Sequence, residues 1–170
     1  CGKRNIPGFI NVDLADFPHI HHKRDARNLA VFESNSVDLI YASHLLEYFD
    51  REEALVALKE WYRVLKPGGT LRLAVPDFPK LIQVYSKTQN LSFILGPLYG
   101  KMTKMYHKTV YDYVSLFSIL ERAGFRNVTP YDWRQTIHKD YDDCSQAYFP
   151  HMDKENGLLI SLNVEATKDG

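Results

Sequence analysis

The stretch from Val37 to Asp77 constrains this chain most, because it reads as strand, helix and strand in direct succession. Val37-Asp38-Leu39-Ile40-Tyr41-Ala42 is apolar at nearly every position, as expected of a strand in a parallel sheet covered on both faces. Asp50 with Glu53 three residues on has the form of a capping box, and Leu55, Leu58, Tyr62 and Leu65 recur at helical spacing. Lys66-Pro67-Gly68-Gly69 reads as a structural turn, since proline cannot continue a helix and glycine permits the reversal. Leu71, Leu73 and Val75 alternate through a second strand that stops at Pro76-Asp77. Strand, helix, strand in that order implies an α/β sheet with right-handed crossovers.

The flanks extend the pattern. Gly8 to Asp13 reads as a buried strand, and Phe17 to Asn28 as a polar loop with at most one helical turn. From Phe78 to Val110 the periodicity loosens around Pro79, Gly96, Pro97 and Gly100. Tyr113 to Ala123 is helical again and closes at Gly124; Phe125 to Tyr131 reads as a strand, and Asp132 to Phe149 as irregular. Asn156-Gly157 is a turn signal before Leu158–Thr167, where Ile160, Leu162, Val164 and Ala166 alternate with polar residues. That strand is expected to run antiparallel, because a short turn cannot make a parallel crossover. The expected core holds Ile40, Leu55, Leu58, Leu65, Leu71, Leu73, Val75, Leu116 and Leu120.

With 170 residues and no repeat or linker, the chain reads as one domain, 1–170. Lys+Arg and Asp+Glu are both 21, so overall charge gives no argument for nucleic acid or an anionic membrane. Two cysteines, Cys1 and Cys144, make no disulfide framework, and no membrane-length apolar run or signal peptide appears, which points to a cytoplasmic setting. The histidines and acids of His21-His22-Asp25 and of His138 to His151 lack a recognised ligand spacing, so no metal site is expected.

The order Cys1-Gly2, Asn11-Val12-Asp13, Asp25-Ala26, Ser36 to Ile40, Ser43-His44-Leu45-Leu46-Glu47, Glu60 to Gly69 and Pro76-Asp77 resembles class I S-adenosylmethionine-dependent methyltransferases over roughly residues 1–130. Within that family it is most similar to small bacterial enzymes associated with glycan or secondary-metabolite modification. The resemblance implies a Rossmann-like, mostly parallel sheet with flanking helices. It also implies S-adenosyl-L-methionine as cofactor, with Cys1, Gly2 and Lys3 at its carboxylate and Asp13 and Leu14 at its ribose. Asp25 and Ala26 would meet the adenine, and Ser43 and His44 would lie beside the cofactor. Each has a plainer reading as well: a strand-end aspartate, a solvated loop acid, a hydrogen-bonded structural histidine.

Three features depart from the family pattern. The family's first central strand would lie upstream of Cys1, only Lys3 to Phe9 separate Gly2 from the next strand, and Tyr48 stands where many relatives have histidine. The resemblance makes residues 78–113 an acceptor-side cover. That segment is rich in tyrosine and lysine with Asp112 its one acid, which suits a polar small-molecule acceptor, a sugar or secondary metabolite. His107 is the candidate base, unless it packs against the Tyr113–Ala123 helix. Two other functions remain open at this point: a non-catalytic methyltransferase-like scaffold, and a nicotinamide-dependent oxidoreductase, which the missing G-x-G-x-x-G disfavours.

Overall fold

The computed structural model describes residues 5–100 and 105–170. Its centre is a four-stranded sheet of β3 (Val37–Ser43), β4 (Leu65–Pro76), β5 (Arg126–Pro130) and β8 (Ser161–Thr167), in the order β3-β4-β8-β5. β3 and β4 pair in parallel, and β8 pairs antiparallel with both β4 and β5, so three strands run one way and the C-terminal strand opposes them. The fold is α/β, as the strand-helix-strand order requires. Among the described residues the outer edge of β3 carries no strand partner. No helix among them is long and apolar enough to cross a membrane.

Helix α1 (Arg51–Val64) starts on its capping box. The Asp50 carboxylate accepts from the backbone N–H groups of Glu52 and Glu53, and Glu53 accepts from that of Asp50. It ends one residue before Leu65 rather than at Pro67, and Lys66–Gly69 form a bulge: Val37 pairs with Leu65, but Leu39 already pairs with Thr70. The expected turn is therefore an irregular strand entry, tied to the far end of the chain by Gly68 N–H to the Lys168 carbonyl. Helix α4 (Tyr113–Ala123) begins on a second box, Asp112 with Ser115, and stops at Gly124. Gly124 has φ +108°, and a Cβ there would meet the Tyr62 ring at 3.1 Å, so only glycine fits.

Alternation decides which strand residues enter the core. Leu71, Leu73 and Val75 of β4 and Val164 and Ala166 of β8 are buried against Leu58 and Trp61 of α1 and Leu116 and Leu120 of α4. Ile40 and Leu55, expected in the core, are partly buried at its margin. A smaller cluster joins Leu81 and Val84 of α2 (Phe78–Thr88) to Ile94 of α3 (Ser92–Tyr99).

Several expectations are corrected. The expected buried strand from Gly8 is only β1 (Val12–Asp13), with Ile10 60% exposed, because its single partner is another two-residue strand. That partner is β2 (His22–Lys23), inside the stretch expected to be loop. β3 is half-buried rather than covered on both faces. The Phe78–Val110 region holds two helices despite its glycines and prolines, Pro79 falling in the first turn of α2 where a missing N–H is harmless. The last strand is interrupted at Ile160 into β7 (Leu158–Leu159) and β8, with β7 pairing β6 (Tyr148–Phe149). Ile160 N–H turns aside to the Ala147 carbonyl.

Candidate functional site

Ligands of open α/β sheets bind beyond the carboxyl ends of the strands, and there the chain gathers groups from four elements. β3 ends at Ser43, and the next residue, His44, takes φ +50°, a left-handed conformation that costs a non-glycine residue about 1 kcal/mol. The backbone is held by His44 N–H to the Ala74 carbonyl of β4, at 2.8 Å. The turn aims the imidazole inward, its side chain 15% exposed, with Nε2 3.1 Å from Ser161 Oγ and Nδ1 3.4 Å from Glu47 Oε1. Burial pushes the His44 imidazole down to about 4.

Glu47 lies in the 3-10 turn Leu46–Tyr48 and is fully buried. Among the described residues neither of its carboxylate oxygens has a hydrogen-bond partner, and burial raises the carboxyl to about 8. Its backbone carbonyl accepts from the N–H groups of Lys108 and Thr109, which clamps this turn to the segment before α4. His107, from that segment, places Nε2 3.9 Å from Glu47 Oε1 and Nδ1 2.9 Å from the Pro97 carbonyl. Its ring meets Tyr48 edge-on at 4.6 Å, and burial lowers its affinity for a proton. It thus packs against α3 and Tyr48 rather than against α4. Gly100 makes room: a Cβ there would stand 3.0 Å from the imidazole.

Across the strand ends, Ser43 Oγ donates to Asp143 Oδ1 at 3.2 Å and the Tyr41 hydroxyl donates to Asp143 Oδ2. Asp143 caps the 3-10 turn Cys144–Gln146 through Ser145 N–H, and Asn163 of β8 donates to the Ser145 carbonyl. One polar network therefore runs from Tyr41 to His44.

The structure does not bring all the sequence-nominated residues together. Cys1, Gly2 and Lys3 lie outside the described residues. Asp13 ends β1, where Oδ1 accepts from Ala15 N–H at 2.9 Å, and Leu14 beside it is 55% exposed. Asp25 grips the Arg27 guanidinium, which holds its carboxyl below the usual range. Arg27 also reaches Glu53 at 2.6 Å, and the Ala26 carbonyl accepts from the Trp61 indole at 2.8 Å. An adenine ring meeting Asp25 would have to share its carboxylate with Arg27. Ser43 and His44 stand side by side at the rim and His107 joins them through Glu47. A separate surface depression of about 350 Å³, lined by Asn5, Ile6 and Asp140 to Asp143, touches this site only at Asp143.

Sequence reasoning passed over Glu47, Asp143 and Ser161 as functional groups. For Glu47 a signal existed: a lone acid inside Leu45-Leu46-Glu47-Tyr48-Phe49 must be buried with its neighbours. Asp143 and Ser161 sit about a hundred residues from their partners, and no local pattern announces them.

Residues 9–73 match the family model described as "Methyltransferase domain". A demethylmenaquinone methyltransferase of Staphylococcus haemolyticus is 34% identical over 120 residues, 65% of this chain and 48% of that protein. An uncharacterized methyltransferase of Schizosaccharomyces pombe is 27% identical over 152 residues, 79% of this chain and 59% of its own length. The chain thus spans about half the length of the curated relatives it matches. Among solved structures, the 1,6-didemethyltoxoflavin-N1-methyltransferase of Burkholderia thailandensis superposes with a TM-score of 0.54 at 15% identity, covering 94% of this chain and 60% of that one. A SAM-dependent methyltransferase from Archaeoglobus fulgidus gives 0.53 at 18% identity, covering 86% and 66%. These two share the fold. Residues 9–73 are thus similar to a methyltransferase domain, and the strand-helix-strand frame that carries His44 shares its fold with SAM-dependent methyltransferases.

Proposed function

We propose that the chain binds S-adenosylmethionine beyond the carboxyl ends of β1 and β3 and transfers its methyl group to a polar small-molecule acceptor, a sugar or secondary metabolite. The observation that carries this reading is the left-handed turn of His44 at the carboxyl end of β3, within the span that matches the methyltransferase domain, as is Asp13 at the end of β1. Asp13, at a strand end, offers a carboxylate for ribose hydroxyls. Cys1, Gly2 and Lys3 would hold the methionine carboxylate, Asp25 and Ala26 the adenine. The donor carries an already activated methyl on a sulfonium, so the chain's own work is to align two molecules and exclude water.

The acceptor side falls to residues 78–113 as a cover. Tyr85, Tyr99 and Tyr106 are exposed there and offer ring faces, whereas Tyr111 is buried and Lys108 is spent on Glu53 at 2.7 Å. His107 is the base of this reading for an acceptor that must lose a proton. Its neutral imidazole is oriented by the Pro97 carbonyl.

Calorimetric titration with S-adenosylmethionine, S-adenosylhomocysteine and NAD tests the reading. The first two should bind, and Asp13→Ala should weaken them by about 1.5–3 kcal/mol. Binding of NAD instead would move the chain to the nicotinamide oxidoreductases. Donor binding without turnover across sugar, phenolic and amine acceptors would leave a scaffold.

A further inference from the structure

Glu47 is a fully buried carboxyl, and its surroundings fix its protonation. Asn163 donates through Nδ2 to the Ser145 carbonyl, so its Oδ1 faces Ser161 and accepts the Ser161 hydroxyl proton at 2.8 Å. Ser161 Oγ is then left to accept from His44 Nε2–H, and the neutral His44 ring presents a bare lone pair at Nδ1, 3.4 Å from Glu47 Oε1. The Pro97 carbonyl can only accept, so His107 carries its proton on Nδ1 and turns a second lone pair, on Nε2, toward the same Glu47 oxygen at 3.9 Å. Two lone pairs facing one carboxyl oxygen are compatible with a carboxylic acid and repel a carboxylate.

The other titratable groups around the cluster do not alter this. Tyr48 comes from the same turn and Tyr111 from the segment before α4, and both are held toward the neutral phenol by burial first and, where Glu47 ionises, by its carboxylate. Asp143 and a hydrogen bond to the Cys144 backbone favour a proton on His44 but are outweighed by burial, and the Lys108 ammonium is turned out to Glu53. No described cation faces the carboxyl. Burial acts the same way, raising Glu47 to about 8 and lowering both imidazoles. Near neutrality the cluster of Glu47, His44 and His107 therefore holds one acid proton and no charge.

We propose that Glu47 senses the charge of the methyl donor: it gives up its proton when a sulfonium is seated at the carboxyl end of β3, and keeps it beneath the neutral thioether product. The inference rests on the donor site proposed above. One proton leaves the Glu47 carboxyl for solvent as the cation arrives, and one returns once the cation is gone. The consequence is discrimination. A carboxylate beside His44 favours the charged donor over its product, and the strength of that preference is set by pH, because ionisation is easier at higher pH.

The test is calorimetry of the purified chain between pH 6 and 8.5, in buffers of differing ionisation enthalpy. The probes are S-adenosylmethionine, S-adenosylhomocysteine and a nitrogen analogue with an ammonium in place of the sulfonium. At pH 7 the two cations should each release close to one proton more than the thioether. The ratio of thioether to donor Kd should rise by up to about tenfold per pH unit below the Glu47 value. In Glu47→Gln that ratio should be flat with pH, with thioether affinity within about twofold of the parent. Equal proton counts for charged and neutral ligands in the parent overturn the inference and leave the donor site standing, whether or not the variant folds. A pH-dependent ratio that survives in Glu47→Gln also overturns it, by assigning the proton to another group. Failure of all three to bind removes the donor site and the inference together.

Discussion

The two faces of the central sheet are built on opposite principles. Toward α1 and α4 the strands present Ile40, Ala42, Leu71, Leu73, Val75, Val164 and Ala166, and the helices answer with Leu58, Trp61, Leu116 and Leu120. The other face presents Tyr41, Ser43, Arg72, Asn163 and Glu165, covered by the irregular segment from Trp133 to Gln146. There Arg72 pairs with Glu165 at 2.6 Å and lies over the Tyr131 ring, and Tyr41 stacks on fully buried His138 at 4.0 Å. The apolar face needs only complementary volume, and helices supply it from residues near in sequence. The polar face needs most donors matched to acceptors, which a segment without regular structure can bend to offer, although His138 and the Tyr131 hydroxyl stay unmatched among the described residues. The candidate site lies at one end of this polar face, where the network reaches His44.

That contrast predicts different responses to substitution. Trp61→Ala should be the most damaging, removing a buried ring and leaving the Ala26 carbonyl without its indole donor. A loss of about 3–5 kcal/mol of unfolding free energy is expected from urea titration, and a loss under 1 kcal/mol would mean that α1 does not anchor the core.

On the polar face, Asp143→Ala strips one acceptor from Tyr41, Ser43 and Ser145 together. About 2–3 kcal/mol should go, from charge-assisted hydrogen bonds rather than volume. Asp143→Leu, which keeps bulk, should lose as much. If it instead restores the midpoint, the face is held by packing after all.

The junction of the two faces gives a pH signature. Glu47 keeps its proton when folded up to about 8, whereas an unfolded carboxyl loses it near 4.3, so stability falls as pH rises through that window. His44, His107 and His138 bind protons less well when folded, so they lower stability as pH falls below about 6.5 and oppose Glu47 there. Between pH 6.5 and 8 Glu47 acts without them, and unfolding free energy should drop by about 2 kcal/mol. Urea titrations of Glu47→Gln across the same range should show no drop; a parallel decline would locate the titration elsewhere.

The smallest effect is expected for His138→Phe. Neither ring nitrogen has a hydrogen-bond partner among the described residues, while the ring itself stacks on Tyr41. A phenyl ring keeps the stack and removes two unmatched polar atoms, so the unfolding free energy should move by less than about 1 kcal/mol. A larger loss would show that the imidazole nitrogens, not the ring face, are what this position needs.

Local patterns in the amino-acid sequence determined the apolar half of this protein. Both capping residues, Asp50 and Asp112, the helices they open, the stop at Gly124 and the alternation of Leu71, Leu73 and Val75 follow from contacts within a few residues. The order of short motifs likewise pointed to the family, and placed Ser43 and His44 at the rim. What only the tertiary structure decided is the state of those residues. Asp25 looks free in the sequence but is taken up by Arg27, and β1 shrinks to two residues because too little pairs with it. Glu47 is only one letter of a motif until His44 and His107 are seen to face it, and His44 depends on Ser161 and Asn163 over a hundred residues away. The reason is physical: backbone propensity and periodicity are local, whereas burial, protonation and hydrogen-bond matching depend on which distant groups arrive at the same place.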